Sequence, residues 1–234
     1  MNVLDLFSGI GGFSLGLERA GMRTVAFCEI EPYCRAVLRK HWPGVPIFED
    51  VCALTAADLP EHIDLICGGF PCQDISEAGL GAGLDGERSG LWREFCRLIG
   101  EIRPRYAIVE NVSALLGRGL STILGDVAAL GFHAEWHCIQ AANVGAKHIR
   151  DRVWIVILAD PSRLGIMQRG WEQFKADSDT QRQIRERFDQ PEPVRVAHGI
   201  PGRMDRIHAL GNAVVPQIPE IIGRAIMRAE GLAA

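Results

Sequence analysis

No run of apolar side chains in this 234-residue sequence approaches the roughly 20 residues that a membrane-spanning helix requires. The N-terminal stretch MNVLDLFSGIGG has no basic segment and no small-residue cleavage site, and Asp5 interrupts its short apolar run. It therefore does not read as a secretory signal, and a cytoplasmic protein with no membrane partner is expected. No Cys-x-x-Cys pair occurs among the 7 cysteines, at positions 28, 34, 52, 67, 72, 96 and 138. That scatter gives no support to zinc or to a disulfide scaffold, and no metal is expected. In a reducing compartment most of these thiols would be buried small hydrophobes. Excess positive charge is lacking as well: 25 Lys and Arg face 29 Asp and Glu, a formal net charge of −4. A nucleic-acid partner would then be held by a local patch, because the overall field does not attract one.

What the chain has is enough apolar residue, 47%, to build a core without staples. Over the first 159 residues, short apolar runs alternate with amphipathic stretches. Strands are expected at 2–6, 23–29, 45–48, 64–67, 106–109, 132–139 and 153–158. Helices are expected at 11–21, 31–41, 90–102 and 120–130, with another at 216–229. Such alternation implies βαβ units and an α/β fold, with an open, doubly wound, mainly parallel sheet. The composition shifts at Asp160. From there to Arg206, nine Arg and Lys accompany eight Asp and Glu, and apolar residues are sparse. This segment cannot build much of a core alone, so a small irregular second lobe is expected, with Trp171 and Phe174 as its anchors. Pro191 and Pro193 mark a rigid hinge in it. Arg182, Arg185 and Arg187 suit either phosphates or a solvated helix face.

The first strand runs into Phe7-Ser8-Gly9-Ile10-Gly11-Gly12, which opens the first helix. Glycine lets a backbone approach a ligand, and a helix N-terminus offers free N–H groups. Glu29, seventeen residues after Gly12, ends the next strand, where an acid can accept hydrogen bonds from ribose hydroxyls. Asp50 follows the third strand and can hold an adenine amino group. Together these point to a nucleoside cofactor, although the third glycine of the dinucleotide fingerprint is replaced by Ser14. A tight turn with no ligand would use the same residues.

The fourth strand leads to Gly68-Gly69-Phe70-Pro71-Cys72-Gln73. Pro71 fixes its own φ and restricts Phe70, so the loop is stiff where it presents Cys72. Only a few per cent of a free thiol is thiolate near neutral pH, and a nearby cation would raise that fraction. Glu110-Asn111-Val112 follows the fifth strand and points an acid into the crevice. Before the last strand comes His148-Ile149-Arg150-Asp151-Arg152. In an extended run Arg150 and Arg152 share a face, which suits an anionic or carbonyl-rich ligand.

The order LDLFSGIGG, GGFPCQ, ENV, an arginine pair and GNAVVP resembles the cytosine-C5 DNA methyltransferase family of bacterial or phage type. The resemblance spans nearly all of the chain except 160 to about 194. It implies a Rossmann-like methyltransferase domain made of 1–159 plus 207–234, with a shortened target-recognition lobe at 160–206. It places S-adenosylmethionine among Phe7, Gly9, Ile10, Gly11, Glu29, Ile30, Asp50, Val51, Phe70, Pro71, Asn212, Ala213 and Val214. It makes Cys72 the nucleophile toward cytosine C6 and Glu110 the acid at N3. Arg152 would hold O2, Arg150 a phosphate or Glu110, and Asn111 would brace the Pro71–Cys72 loop. It also makes the glycine-rich 80–91 a lid over a base flipped out of duplex DNA. A cognate restriction enzyme is a candidate partner, and a monomer is expected. There are two departures: His148 stands where Gln is usual, and the recognition region is short. A tRNA-directed enzyme of the same family and an inactive DNA-binding relic stay open as alternatives.

Overall fold

The computed structural model describes residues 1–71, 90–186 and 209–232. Their strands are β1 Asn2–Leu6, β2 Arg23–Cys28, β3 Ile47–Phe48, β4 Leu65–Gly68, β5 Tyr106–Val112, β6 His133–Gln140 and β7 Asp151–Leu158. They form one sheet in the order β3-β2-β1-β4-β5-β7-β6. The first five strands pair in parallel, while β7 runs antiparallel to both β5 and β6. The order reverses between β1 and β4, the place where open α/β sheets leave a crevice at their carboxyl edge.

The α-helices are α1 Gly12–Arg19, α2 Pro32–His41, α3 Gly90–Ile102, α4 Leu115–Arg118, α5 Leu120–Ala129, α6 Ile166–Ala176, α7 Ser178–Glu186 and α8 Gln217–Ala229. Local chemistry accounts for their ends and faces. Pro32 opens α2, where its missing N–H costs nothing, and Arg39, Lys40 and His41 close it against the negative end of the helix dipole. Trp92, Phe95, Leu98 and Ile99 make the buried stripe of α3 at helical spacing.

Pleating sends alternate residues of β1 to opposite faces. Leu4 and Leu6 join one core with Trp92, Phe95, Ile99, Ile123 and Val127 from α3 and α5. Val3 joins the other with Phe13 and Leu17 of α1 and Ile218, Ile222 and Ile226 of α8. With both faces covered, β5 and β7 are buried almost throughout, whereas the edge strand β6 is largely exposed.

The segment from 160 onward has α6 and α7 in its described part. Its apolar residues are spent on the second core, where Ile166, Met167, Phe174 and Ile184 are buried beside α8. Trp171 is half-buried, with its ring centroid 5.4 Å from that of Phe174. A Cβ on Gly170 would fall 2.6 Å from Ala225 Cβ, so α6 and α8 touch there through small residues. Glu135 on β6 caps α6 by accepting from the Gly165 N–H at 2.6 Å and the Met167 N–H at 2.7 Å. On α7, Arg182 pairs with Asp179 at 3.1 Å and Glu186 at 3.8 Å, the arrangement of a solvated helix face. Arg187, Pro191 and Pro193 lie outside the described residues, as does the side chain of Arg185. Cysteine burial is less general than expected. Cys28, Cys34 and Cys67 are buried, Cys96 is half-buried, and Cys52 and Cys138 are exposed. Among the described residues no helix is long and apolar enough to cross a membrane, and no cluster of His, Cys, Asp and Glu suits a metal ion.

Candidate active site

The glycine turn is shaped by backbone. Phe7 and Gly9 both have φ of 52°, and Gly11, the N-cap of α1, has φ of 86°. Only glycine meets that conformation without steric cost, so Phe7 holds a strained position. A Cβ on Gly11 would also strike the Trp42 ring at 2.5 Å. Trp42 is held there by its indole N–H, which donates to both Glu18 carboxylate oxygens at 2.9 Å. Beneath the turn lies Asp5, fully buried in β1. Its Oδ2 accepts from the Ser14 hydroxyl at 2.7 Å and the Ser14 N–H at 3.2 Å. Ser14, where a dinucleotide fingerprint would have glycine, thus ties the first turn of α1 to β1. Burial pushes the Asp5 carboxyl up to about 7 despite those bonds, and the nearby Glu29 charge pushes the same way. Neither Asp5 nor Trp42 stands out as a site residue in the sequence. The available signal was a lone acid inside an apolar strand.

Glu29 follows β2 and is buried. Its Oε2 accepts from the Gly9 N–H at 2.6 Å and its Oε1 from the Glu31 N–H at 2.8 Å. It therefore braces the glycine turn as well as facing the cavity. Asp50 Oδ1 accepts from the Cys52 N–H at 2.8 Å and caps the turn after β3. Ile30 stands 70% exposed, which is unusual for a large apolar side chain and leaves a face open to a ligand.

At the other end, Glu110, Asn111 and Val112 do not follow β5, as their polarity suggested, but form its last three residues. The strand continues because the antiparallel β7 pairs with it there. Glu110 sits opposite Trp154 and Val112 opposite Arg152, so Glu110 and Arg152 are diagonal neighbours on one face. Arg152 Nε lies 3.1 Å from Glu110 Oε1. Burial raises the Glu110 pKa, and the Arg152 and Arg150 charges pull it partly back. Gly69 makes room for this carboxylate, since a Cβ there would come within 2.9 Å of Glu110 Oε2. Asn111 Nδ2 donates to the Phe70 carbonyl at 3.2 Å, next to Pro71. Arg150 parts from Arg152. Its Nη1 donates to the Gly211 carbonyl at 2.6 Å and its Nη2 to that of Asn212 at 3.3 Å.

A cavity of about 400 Å³ joins the two ends. Phe7, Gly9, Glu29, Ile30, Asp50, Val51, Phe70, Pro71 and Asn212 line it together with Glu110, Asn111, Arg150 and Arg152. Because β7 is antiparallel, its first residues reach the same sheet edge as the carboxyl ends of β1 to β5. Ile10, Gly11, Ala213 and Val214 do not line the cavity. Val214 instead lies on the first turn of α1, where a Cβ on Gly12 would come within 2.6 Å of its carbonyl oxygen. Cys72 and residues 80–89 of the glycine-rich stretch lie outside the described residues. A second cavity of about 290 Å³, between β6, α6 and α8, shares no lining residue with the first.

Residues 1–199 match the family model of the C-5 cytosine-specific DNA methylases. The chain belongs to that family. It is 39% identical over 171 residues to the Type II methyltransferase M2.BsuMI of Bacillus subtilis, covering 69% of this chain and 43% of that protein. Type II methyltransferase M.AquIA of Picosynechococcus is 32% identical over 202 residues, covering 78% of this chain and 80% of that one. The chain thus spans well under two thirds of M2.BsuMI but most of M.AquIA. Among solved structures it resembles a prophage-encoded E. coli protein described as a DNA modification methyltransferase. There the TM-score is 0.58 and the identity 29%, over 68% of this chain and 46% of that one. The fold alone is shared with Schizosaccharomyces pombe Dnmt2, at TM-score 0.58 and 19% identity over 72% and 55% of the two chains.

Proposed function

We propose that this C-5 cytosine methylase transfers a methyl group from S-adenosylmethionine to C5 of cytosine in duplex DNA. The observation that carries the reading is the single cavity joining the glycine turn to Glu110 and Arg152. The donor set fits the cofactor. Glu29 faces the cavity for ribose hydroxyls, Ile30 offers an open apolar face for a base, and Glu29, Glu31, Glu49 and Asp50 surround the space with negative charge suited to a cation. When bound, S-adenosylmethionine supplies an electrophilic methyl group on a sulfonium, which needs no metal.

C5 of cytosine is a poor nucleophile, so the chain's task is to activate it. The Cys72 thiolate adds to C6, which turns C5 into an enamine carbon able to take the methyl group. Negative charge grows toward N3 during that addition. Glu110, with its pKa raised by burial, donates a proton there, while Arg152 beside it holds O2. Asn111 steadies the Phe70–Pro71 backbone that presents Cys72. A water molecule in the cleft then takes the C5 proton; the electron pair left behind forms the C5–C6 double bond, the C6–S bond breaks to free the thiolate, and N3 returns its proton to Glu110. A cytosine atom inside a duplex cannot reach this cavity, so the base is flipped out first. Residues 160–206 act as a short recognition lobe on a catalytic body made of 1–159 and 207–234. The protein works in the cytoplasm, and a cognate restriction enzyme is a candidate partner.

The test is covalent trapping on duplex DNA carrying 5-fluorocytosine, read on a denaturing gel, with Cys72→Ala as control. Fluorine cannot leave as a cation, so the adduct persists after methylation. A shifted band absent from the control supports the reading. No band at a site the protein is known to methylate overturns the covalent route. Labelled-methyl transfer to tRNA instead of DNA would move the substrate to the tRNA-directed branch.

A further inference from the structure

We infer that Arg150 is a positioning residue for the cofactor half of the cleft, through the C-terminal arm that it fastens. The inference rests on the reading of the cavity proposed above. The family resemblance would place Arg150 at a phosphate or at Glu110. Its charge does act on Glu110, but the hydrogen bonds of its guanidinium go to the backbone of the arm. Two successive carbonyls, of Gly211 and Asn212, accept from its Nη1 at 2.6 Å and its Nη2 at 3.3 Å. A planar fork can hold both carbonyls at once, which an ammonium cannot do in one fixed geometry. The other side of the clamp is also fixed: the Arg150 carbonyl accepts from the Ala141 N–H at 2.9 Å, which ties it to the end of β6.

The arm has a second fastening just downstream. Its backbone runs across α1, where a Cβ on Gly12 would sit 2.6 Å from the Val214 oxygen and one on Gly16 would sit 2.2 Å from the Pro216 oxygen. These contacts hold 214–216 but leave the approach to the cavity to the residues before them. Asn212, which lines the cavity with Phe7, Gly9 and Glu29, is one of the two residues that Arg150 grips, and the shorter bond goes to Gly211 just before it. One strand start therefore serves both halves of the reaction. Arg152 sets the acid, and two residues earlier Arg150 sets the cofactor wall.

The test compares the full chain with Arg150→Ala, Arg150→Lys and Arg152→Ala in two measurements. The first is equilibrium binding of S-adenosylmethionine without DNA. Arg150→Ala is expected to weaken it roughly tenfold, Arg150→Lys less, and Arg152→Ala within about twofold. The second is amide hydrogen exchange of residues 211–215 in the protein without cofactor, where Arg150→Ala is expected to exchange faster and Arg150→Lys to fall between. With saturating DNA, Arg150→Lys should raise KM for S-adenosylmethionine and leave kcat nearly unchanged. Wild-type affinity and wild-type exchange in Arg150→Ala would overturn the inference, as would an effect confined to kcat or to KM for DNA. Should Arg150→Ala fail to fold, Arg150→Lys decides, and wild-type exchange in it overturns the inference. Failure of the unmodified chain to bind S-adenosylmethionine would sink the cofactor reading instead, and the exchange experiment would still test the clamp.

Discussion

At the glycine-turn end of the cleft the shape comes from backbone, and at the Glu110 end it comes from side chains. Phe7, Gly9 and Gly11 adopt positive φ within five residues, and Glu29 is bound to two main-chain N–H groups. Glu110, Asn111 and Arg152 come from two strands whose pairing is antiparallel, Arg150 stands just before the second of them, and their partners are distant in sequence. The difference teaches how each end should fail. A backbone-built site loses affinity when its geometry is disturbed. A side-chain-built site can lose its chemistry while its shape survives.

The sharpest separation should come from Glu110→Gln, which keeps the volume and removes the acid. Methyl transfer is expected to fall by about 10²- to 10⁴-fold, the usual worth of a positioned general acid. Binding of S-adenosylmethionine should stay within a few-fold. A radiolabelled transfer assay beside equilibrium binding measures both, and a matching loss of affinity would show that the two ends do not divide the work.

Beneath the glycine turn, Asp5 should make stability depend on pH. Its carboxyl titrates near its ordinary value of 3.8 when unfolded and at about 7 when folded. Between those values the folded state keeps a proton that the unfolded state has lost. The stabilisation is therefore full below about pH 4 and is lost as pH rises through about 7, at up to about 1.4 kcal/mol per pH unit. Asp5→Asn should flatten this slope. Urea titrations of both proteins from pH 4 to 8 measure the difference, and parallel curves would mean that Asp5 is ionised throughout.

Smaller in effect, Glu29→Ala should weaken the cofactor by the loss of charge-assisted bonds, about 1.5–3 kcal/mol or roughly 10- to 150-fold. Unchanged affinity would reduce Glu29 to a brace for Gly9. Least of all, Arg182→Ala on α7 should change stability by less than about 0.5 kcal/mol, because both of its ion pairs are exposed. A marked drop in DNA affinity at unchanged stability would move Arg182 from a solvated face to a phosphate contact.

The same division governs what the sequence makes legible. The glycine turn, Glu29 and Asp50 are local features after predictable strands, and their neighbourhood follows from βαβ winding. Helix α3 is readable to the residue, 90–102, because its apolar stripe has a clean period. The antiparallel insertion of β7 between β5 and β6 leaves no periodic mark, and it decides that β5 continues through Glu110 and that Arg152 reaches it. Nor does spacing along the chain say that Arg150 turns to carbonyls some 60 residues on, or that Glu135 caps α6. Those partners are chosen by topology, and the polarity of Glu110 and Asn111 argues locally for a strand end where there is none. The apolar residues from Ile166 to Ile184 were visible, but their shared core with α8 becomes apparent only once the sheet is assembled.

The crossing of the arm over Gly12 has a consequence in time. Val214 meets a turn that was synthesised about 200 residues earlier. At roughly 5–20 residues per second, that is roughly 10–40 seconds of translation. Glu110 follows about halfway through that interval, so over its second half the glycine turn, Glu29 and the Glu110 strand all exist while Asn212 does not. The nascent chain must hold an open-sided cleft, with the Gly12–Gly16 face of α1 uncovered, until the arm emerges to close it. A closure between such distant segments is the slow kind. It makes completion of the cleft wait for the arm, so ligand binding that depends on Asn212 cannot begin before that segment has been made.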